Sequence, residues 1–242
     1  MQITIVGPGR LGRTVAPLIR TRGWRAVLVG RGEPVPPCDV IWLTVPDLAL
    51  ADVIPRMPED PVLLHASGAT GLEIFSGRPR SGSLHPLMTF PGPEVATPEL
   101  AGVPAAIAGD PDARDAAHSL ANHLGLSPIE VPGDRGLYHA AAVLAGNGAT
   151  ILLSQACRLL EAAGVPPERA ADTLIPLMLR SVANASPDPI EALTGPMARG
   201  EQQVIEGHLT SMEAAGLHDI ATLHRALAEA AERALRHRRD EK

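Results

Sequence analysis

The first twelve residues constrain this chain more than any other stretch. Ile3, Ile5 and Val6 form a short apolar run suited to a buried parallel strand, and Gly7, Gly9 and Gly12 follow at GxGxxG spacing. The first glycine permits a tight strand-to-helix turn, the second lets backbone approach a pyrophosphate, and the third lets helix and strand pack closely. Leu11, Val15, Leu18 and Ile19 continue at helical spacing, so the anion would rest on a helix N-terminus. Gly7, Pro8, Gly9, Arg10, Leu11 and Gly12 are therefore read as a dinucleotide-binding loop.

The residue after the second strand (25–29) selects the cofactor. An Asp or Glu there accepts hydrogen bonds from the ribose hydroxyls of NAD, whereas this chain has Gly30-Arg31-Gly32. Arg31 is read as holding a 2′-phosphate, with Arg10 and Arg13 near the same anion, which makes NADP the expected cofactor. The plainer alternative is a turn arginine in solvent. Val45 and Pro46, at the end of a third apolar run (40–45), and Ser67, after a fourth (62–64), complete the expected cofactor wall.

Further strands are expected at 83–87, 103–108 and 128–131, with a helix at 112–124. The predicted fold is α/β: an N-terminal Rossmann doubly wound parallel sheet in residues 1–134, followed by an all-α C-terminal domain in 135–242. That domain is expected to hold helices at 137–163 and 166–185, the second kinked at Pro176, and two more over 194–236 broken near Gly216.

Composition narrows the chemistry. A formal charge of −6 argues against a nucleic-acid partner, and the single basic run, Arg233 to Arg239, reads as a solvated tail. No apolar span is read as long enough to cross a bilayer, and two distant cysteines, Cys38 and Cys157, suit the cytoplasm. The sole lysine is Lys242 at the terminus, so histidine is left as the natural acid or base. The candidates are His65 and His85 at strand ends, His139 on the junction helix, and His208. None has compact ligand spacing, and no metal is expected.

In an ideal helix His139 and Asn147 lie about 80° apart around the axis and about 12 Å apart along it. They can line one cleft but not touch one atom. Asn147 would hold a substrate or carboxamide oxygen, or else bond backbone in a packed helix pair; His139 would donate a proton or fix a neighbouring group. Farther on, Thr194 is expected to N-cap a helix with Pro196 in its first turn, and Arg199 either clamps a carboxylate or forms a surface ion pair. Arg199 and His208 can share a site only if Gly200 breaks the helix.

The order of GPGRLG (7–12), TVPD (44–47), HASGA (65–69), SLHPLMTF (83–90), YHAAAVLAGN (138–147) and LTGPMARGE (193–201) resembles, over essentially the whole chain, a family of Rossmann-like proteins. Its members pair a nucleotide domain with a helical C-terminal domain of unknown function. They are commonly labelled NADP oxidoreductases, some by analogy with deazaflavin-dependent enzymes, and one branch is similar to an alternative class of ketopantoate reductase. The wider group resembles pyrroline-carboxylate reductases, prephenate dehydrogenases and β-hydroxyacid dehydrogenases, whose helical domains often dimerise.

This resemblance implies a homodimer in which NADPH reduces the C=O of a small carboxylate substrate in the interdomain cleft, ketopantoate or a related 2-oxo acid first. The alternatives are an imine or pyrroline-carboxylate-type reductase and a non-catalytic NADP-binding regulatory protein. SLHP resembles a segment near the nicotinamide in prephenate dehydrogenases, which raises His85 as a substrate-side residue. One departure matters. β-Hydroxyacid dehydrogenases carry a catalytic lysine four residues before an asparagine, and the position four before Asn147 is Val143. The proton must then come from a histidine, a hydroxyl such as Ser67 or Thr194, or an ordered water.

Overall fold

The computed structural model describes residues 1–95, 99–186 and 188–240; Lys242 lies outside them. Seven strands form one sheet in the order β2-β1-β3-β4-β5-β6-β7. They are β1 (Gln2–Val6), β2 (Arg25–Val29), β3 (Val40–Leu43), β4 (Val62–His65), β5 (Ser81–Pro86), β6 (Pro104–Gly109) and β7 (Ser127–Glu130). Strands β1 to β5 pair in parallel and so do β6 and β7, but β5 and β6 are antiparallel. The expected doubly wound parallel sheet is found, with that one antiparallel pair inside it. The described part of the β5–β6 connection contains no helix, and a parallel step needs a crossover of a dozen or more residues, usually helical.

Both faces of the central strands are covered, so those strands read as nearly continuous apolar runs, interrupted by buried Thr4 in β1 and His65 at the end of β4. Ile3, Ile5, Trp42 and Leu64 face α1 (Arg10–Thr21) and the later helix at Pro111–Leu124, with Val15, Ile19, Ala117 and Leu120. Val6, Ile41, Leu43 and Leu63 face the other way onto Leu50, Ile54 and Phe75, from the short α2 (Leu50–Val53) and neighbouring 3-10 turns. Burying each such Ile or Leu contributes about 1.5–3 kcal/mol relative to exposure. The helix Pro111–Leu124, α3, begins where Asp110 accepts from Ala113 N at 3.0 Å and ends at Gly125 with φ 78°.

The chain divides into two compact units, Met1–Asn147 and Gly148–Lys242, so the division falls later than the expected position near 134. The junction helix accounts for the difference. Its first half, α4 (Arg135–Val143), belongs to the first unit and continues through a π-helical turn, Leu144–Gly148, into α5 (Ala149–Ala162). The division falls inside the π turn, where Gly146 and Gly148 weaken the regular helix.

A second correction concerns length. Arg135–Ala162 is 28 residues long and, by length and composition only, apolar enough to cross a membrane; it is the one such helix among the described residues. Alanine and leucine spread along a helix with few charges reach that threshold without an unbroken apolar run. A helix that packs against another protein surface has the same composition.

The second unit contains α5 and α6 (Pro167–Asn184), which runs through Pro176, then α7 (Gly195–Arg199), α8 (Gln202–Ala214) and α9 (His218–Asp240). Its core is Ile205, Leu209, Met212, Ile220 and Ala221. The basic run is not a loose tail: Arg233 to Arg239 lie within α9, and Arg238 pairs with Asp188 at 2.9 Å and Glu191 at 3.3 Å. Ile151, Leu177, Leu179 and Val182 on α5 and α6 remain exposed.

Candidate functional site

Strand β1 ends in backbone shaped for a polyanion. Gly7 has φ 117°, and a Cβ there would lie 2.8 Å from the Thr44 carbonyl group, so any side chain is excluded. Thr44 Oγ1 donates to Gly7 O at 2.7 Å and holds the turn. Gly9 is the extended N-cap of α1; no side chain caps this helix and its first turn holds no acid. Those free amides and the positive end of the helix dipole suit phosphate. Gly12 serves packing instead: a Cβ there would lie 2.2 Å from Gly7 O.

A cavity of about 760 Å³ opens beside this turn. Gly7, Pro8, Gly9, Arg31, Val45 and Pro46, all expected at the cofactor, lie together on its wall. Arg10, Leu11, Gly12 and Ser67 are not on its wall, and Arg13 pairs with Glu94 at 3.5 Å. Arg56 is a second cation on the wall that the sequence reading missed. The glycine cradle, uncapped helix and two arginines fit a phosphorylated dinucleotide.

A second constellation lies where β4 and β5 end, on the same edge of the parallel strands. Asp134 caps α4 by accepting from Leu137 N at 2.8 Å. That fixes the first turns, in which Arg135, Tyr138 and His139 stand at i, i+3 and i+4 on one face. Arg135 Nη2 donates to Ser67 O at 2.9 Å, and its guanidinium carbon lies 5.2 Å from the centre of the Tyr138 ring. Tyr138 Oη and His85 Nδ1 are 2.8 Å apart. The His85 and His139 rings are 6.1 Å apart and nearly perpendicular. Between them sits Gly68, where a Cβ would come within 2.6 Å of His139 and 2.9 Å of His85.

Burial sets the protonation states. Desolvation and then the Arg135 charge push His85 down to about 4, so it is neutral at pH 7. Burial raises Tyr138 above its usual value, with Arg135 opposing, so the phenol keeps its proton at neutral pH. Behind them His65 is fully buried, stacks on Phe75 with ring centres 5.4 Å apart, and is pushed down to about 4 by desolvation and Arg135. No hydrogen bond of normal geometry reaches either ring nitrogen, and a weak contact with the Gly71 backbone opposes the downward shift only slightly.

The other expected residues are placed differently. Ser67 spends its hydroxyl locally, donating to Thr70 Oγ1 at 2.8 Å and accepting from Thr70 N at 2.9 Å. Asn147 is exposed within the π turn, so the ideal-helix angle between it and His139 does not hold. Thr194 is the N-cap of α7, but its side chain makes no capping bond. Arg199 takes the ion-pair alternative, with Nε and Nη2 at 2.7 and 2.9 Å from the two Glu201 oxygens. Gly200 does break the helix, with φ 67°, while His208 packs on His224 with ring centres 5.4 Å apart. Arg135 and Tyr138 were not among the expected catalytic residues. Their spacing relative to His139, directly after a helix-capping Asp, is the signal that marks them.

A mostly parallel seven-stranded sheet with a glycine cradle at its first strand, followed by an all-helical region, is a Rossmann-like fold with a helical C-terminal part. Residues 103–231, just over half of the chain, match the family described as Domain of unknown function (DUF2520), and the chain belongs to that family. No curated protein matches it in sequence. A Bacteroides fragilis protein described as a candidate NADP oxidoreductase is similar in structure, with TM-score 0.79, 20% identity, and 95% of this chain and 97% of that chain covered. A Thermotoga maritima protein matches at 26% identity and TM-score 0.66, over 95% and 99% of the two chains. A reductive aminase from Aspergillus terreus, solved with NADPH and ethyl-5-oxohexanoate, matches at 15% identity and TM-score 0.70, over 98% and 94%.

Proposed function

We propose that this protein is an NADP(H)-dependent oxidoreductase that reduces the C=O of a small anionic substrate, a 2-oxo acid of the ketopantoate type. The observation that carries the reading is the Tyr138–His85 pair beside Arg135, on the sheet edge that also bears the glycine cradle. Bound NADPH would supply the hydride. The chain must then supply a proton to the developing alkoxide. His85 alone is a poor acid at neutral pH because it is already deprotonated. Tyr138 still holds a proton. When His85 carries its hydrogen on Nδ1, the ring donates to Oη and leaves the phenolic proton free for the substrate oxygen. Arg135, 5.2 Å from the ring, then favours the phenolate until solvent returns the proton. The same cation favours an anionic substrate over a neutral one.

The test is loss of NADPH absorbance with a panel of 2-oxo acids, matched uncharged ketones and cyclic imines. Turnover confined to 2-oxo acids is expected. Tight NADPH binding without oxidation by any of them would sink the reading. We propose further that a second copy of the chain covers the exposed apolar side chains of α5 and α6; the mass of a single chain at micromolar concentration would count against it.

A further inference from the structure

Strand β2 ends at Val29, and the next position, from which the acid of an NAD site projects, is Gly30. A carboxylate nevertheless reaches that place. Residues Gly30 to Glu33 make a turn in which Glu33 N donates to Gly30 O at 3.4 Å, with Gly32 at φ 81°. The turn folds the Glu33 side chain back onto the strand end. Its Oε2 accepts from the Gly30 amide at 2.5 Å, and a Cβ on Gly30 would lie 3.3 Å from that oxygen. Glu33 therefore sets a negative charge beside the Gly30 α-carbon from three residues farther along the chain. Arg31, Arg56 and Asp52 line the same cavity, so opposite charges meet where a 2′-phosphate would arrive.

We propose that Glu33 is the specificity-determining residue of this cavity: its carboxylate, seated on the Gly30 amide, accepts the ribose hydroxyls of NADH and must vacate that amide before a 2′-phosphate can settle beside Arg31. The proposal rests on the dinucleotide reading given under Proposed function. Arg31 favours the phosphate and Glu33 opposes it. The unmodified protein therefore binds NADH and NADPH with affinities within about tenfold of each other rather than excluding NADH.

Calorimetric titration of the full chain with NADPH and with NADH tests this without any turnover. Glu33→Gln and Glu33→Ala each raise the NADPH-to-NADH affinity ratio about tenfold, because a like charge no longer faces the phosphate. Arg31→Ala moves the ratio in the opposite direction. Glu33 is exposed, so both variants fold, which a melting curve verifies. A ratio that stays within about twofold of the starting value in both Glu33 variants, or that falls, overturns the assignment. If the unmodified protein binds neither dinucleotide, the reading of the whole cavity falls as well; binding of both with an unmoved ratio removes only the role of Glu33.

Discussion

The two ends of one sheet edge are built in different ways. At β1 the cradle is backbone: Gly7, Gly9 and the first turn of α1 act through what they lack, and all lie within a few residues of one another. At β4 and β5 the constellation is side chains from three separate segments, with His65 and His85 ending two strands and Arg135, Tyr138 and His139 on a helix some fifty residues later. Backbone amides need no particular neighbour to stay polar. The side-chain cluster brings His85, His139, Tyr138 and Arg135 together, with His65 near enough to feel the Arg135 charge, and burial shifts His65, His85, Arg135 and Tyr138 away from their ordinary values. A binding device is satisfied by geometry alone, whereas groups that move protons need adjusted affinities for them, and such shifts gather at functional sites.

The largest effect is expected where that contrast is sharpest. Tyr138→Phe removes the phenolic proton and keeps the ring under Arg135. With a 2-oxo acid as substrate, kcat should fall by about 10²–10⁴-fold, the usual range for a general acid, while the NADPH dissociation constant moves by less than about twofold. Comparable losses in turnover and in cofactor affinity would mean that the two ends of the edge work as one binding surface. Retention of most of the turnover would return the acid role to His139 or to water.

That contrast also explains what could be read from the sequence. The cradle was legible because its glycines, strand and helix are contiguous, and the cavity wall at Gly7, Pro8, Gly9, Arg31, Val45 and Pro46 follows from them. Most strands were legible to within a residue or two for the same local reason. The antiparallel β5–β6 pair was not, because strand direction depends on the connection rather than on the strand itself. The pairing of Tyr138 with His85 spans 53 residues, and no local pattern encodes it. The angle between His139 and Asn147 failed through the π turn, which an ideal 3.6-residue period cannot anticipate. For Arg199 and Arg13 the ligand and ion-pair roles could not be ranked from the sequence, because the nearness of Glu201 and Glu94 shows only as distances.

The smallest effect is on stability, and its sign is set by His65. A fully buried imidazole held near 4 resists protonation in the folded chain, whereas the unfolded chain takes up a proton near the ordinary value of 6.5. Above 6.5 the residue adds no pH dependence. As pH falls from 6.5 toward 4 the unfolded state binds the extra proton, and stability drops by up to about 3 kcal/mol before levelling off below 4. His65→Leu keeps an apolar body against Phe75 and gives up no more than a weak contact with the Gly71 backbone. Denaturant unfolding at pH 7 should show little change, within about 1 kcal/mol of the unmodified protein. Between pH 6.5 and 4 the slope of stability against pH should lose about one proton, with the His85 contribution remaining. An unchanged slope would show that His65 protonates freely in the folded chain. The cluster would then have to be tuned by Arg135 and Tyr138 alone.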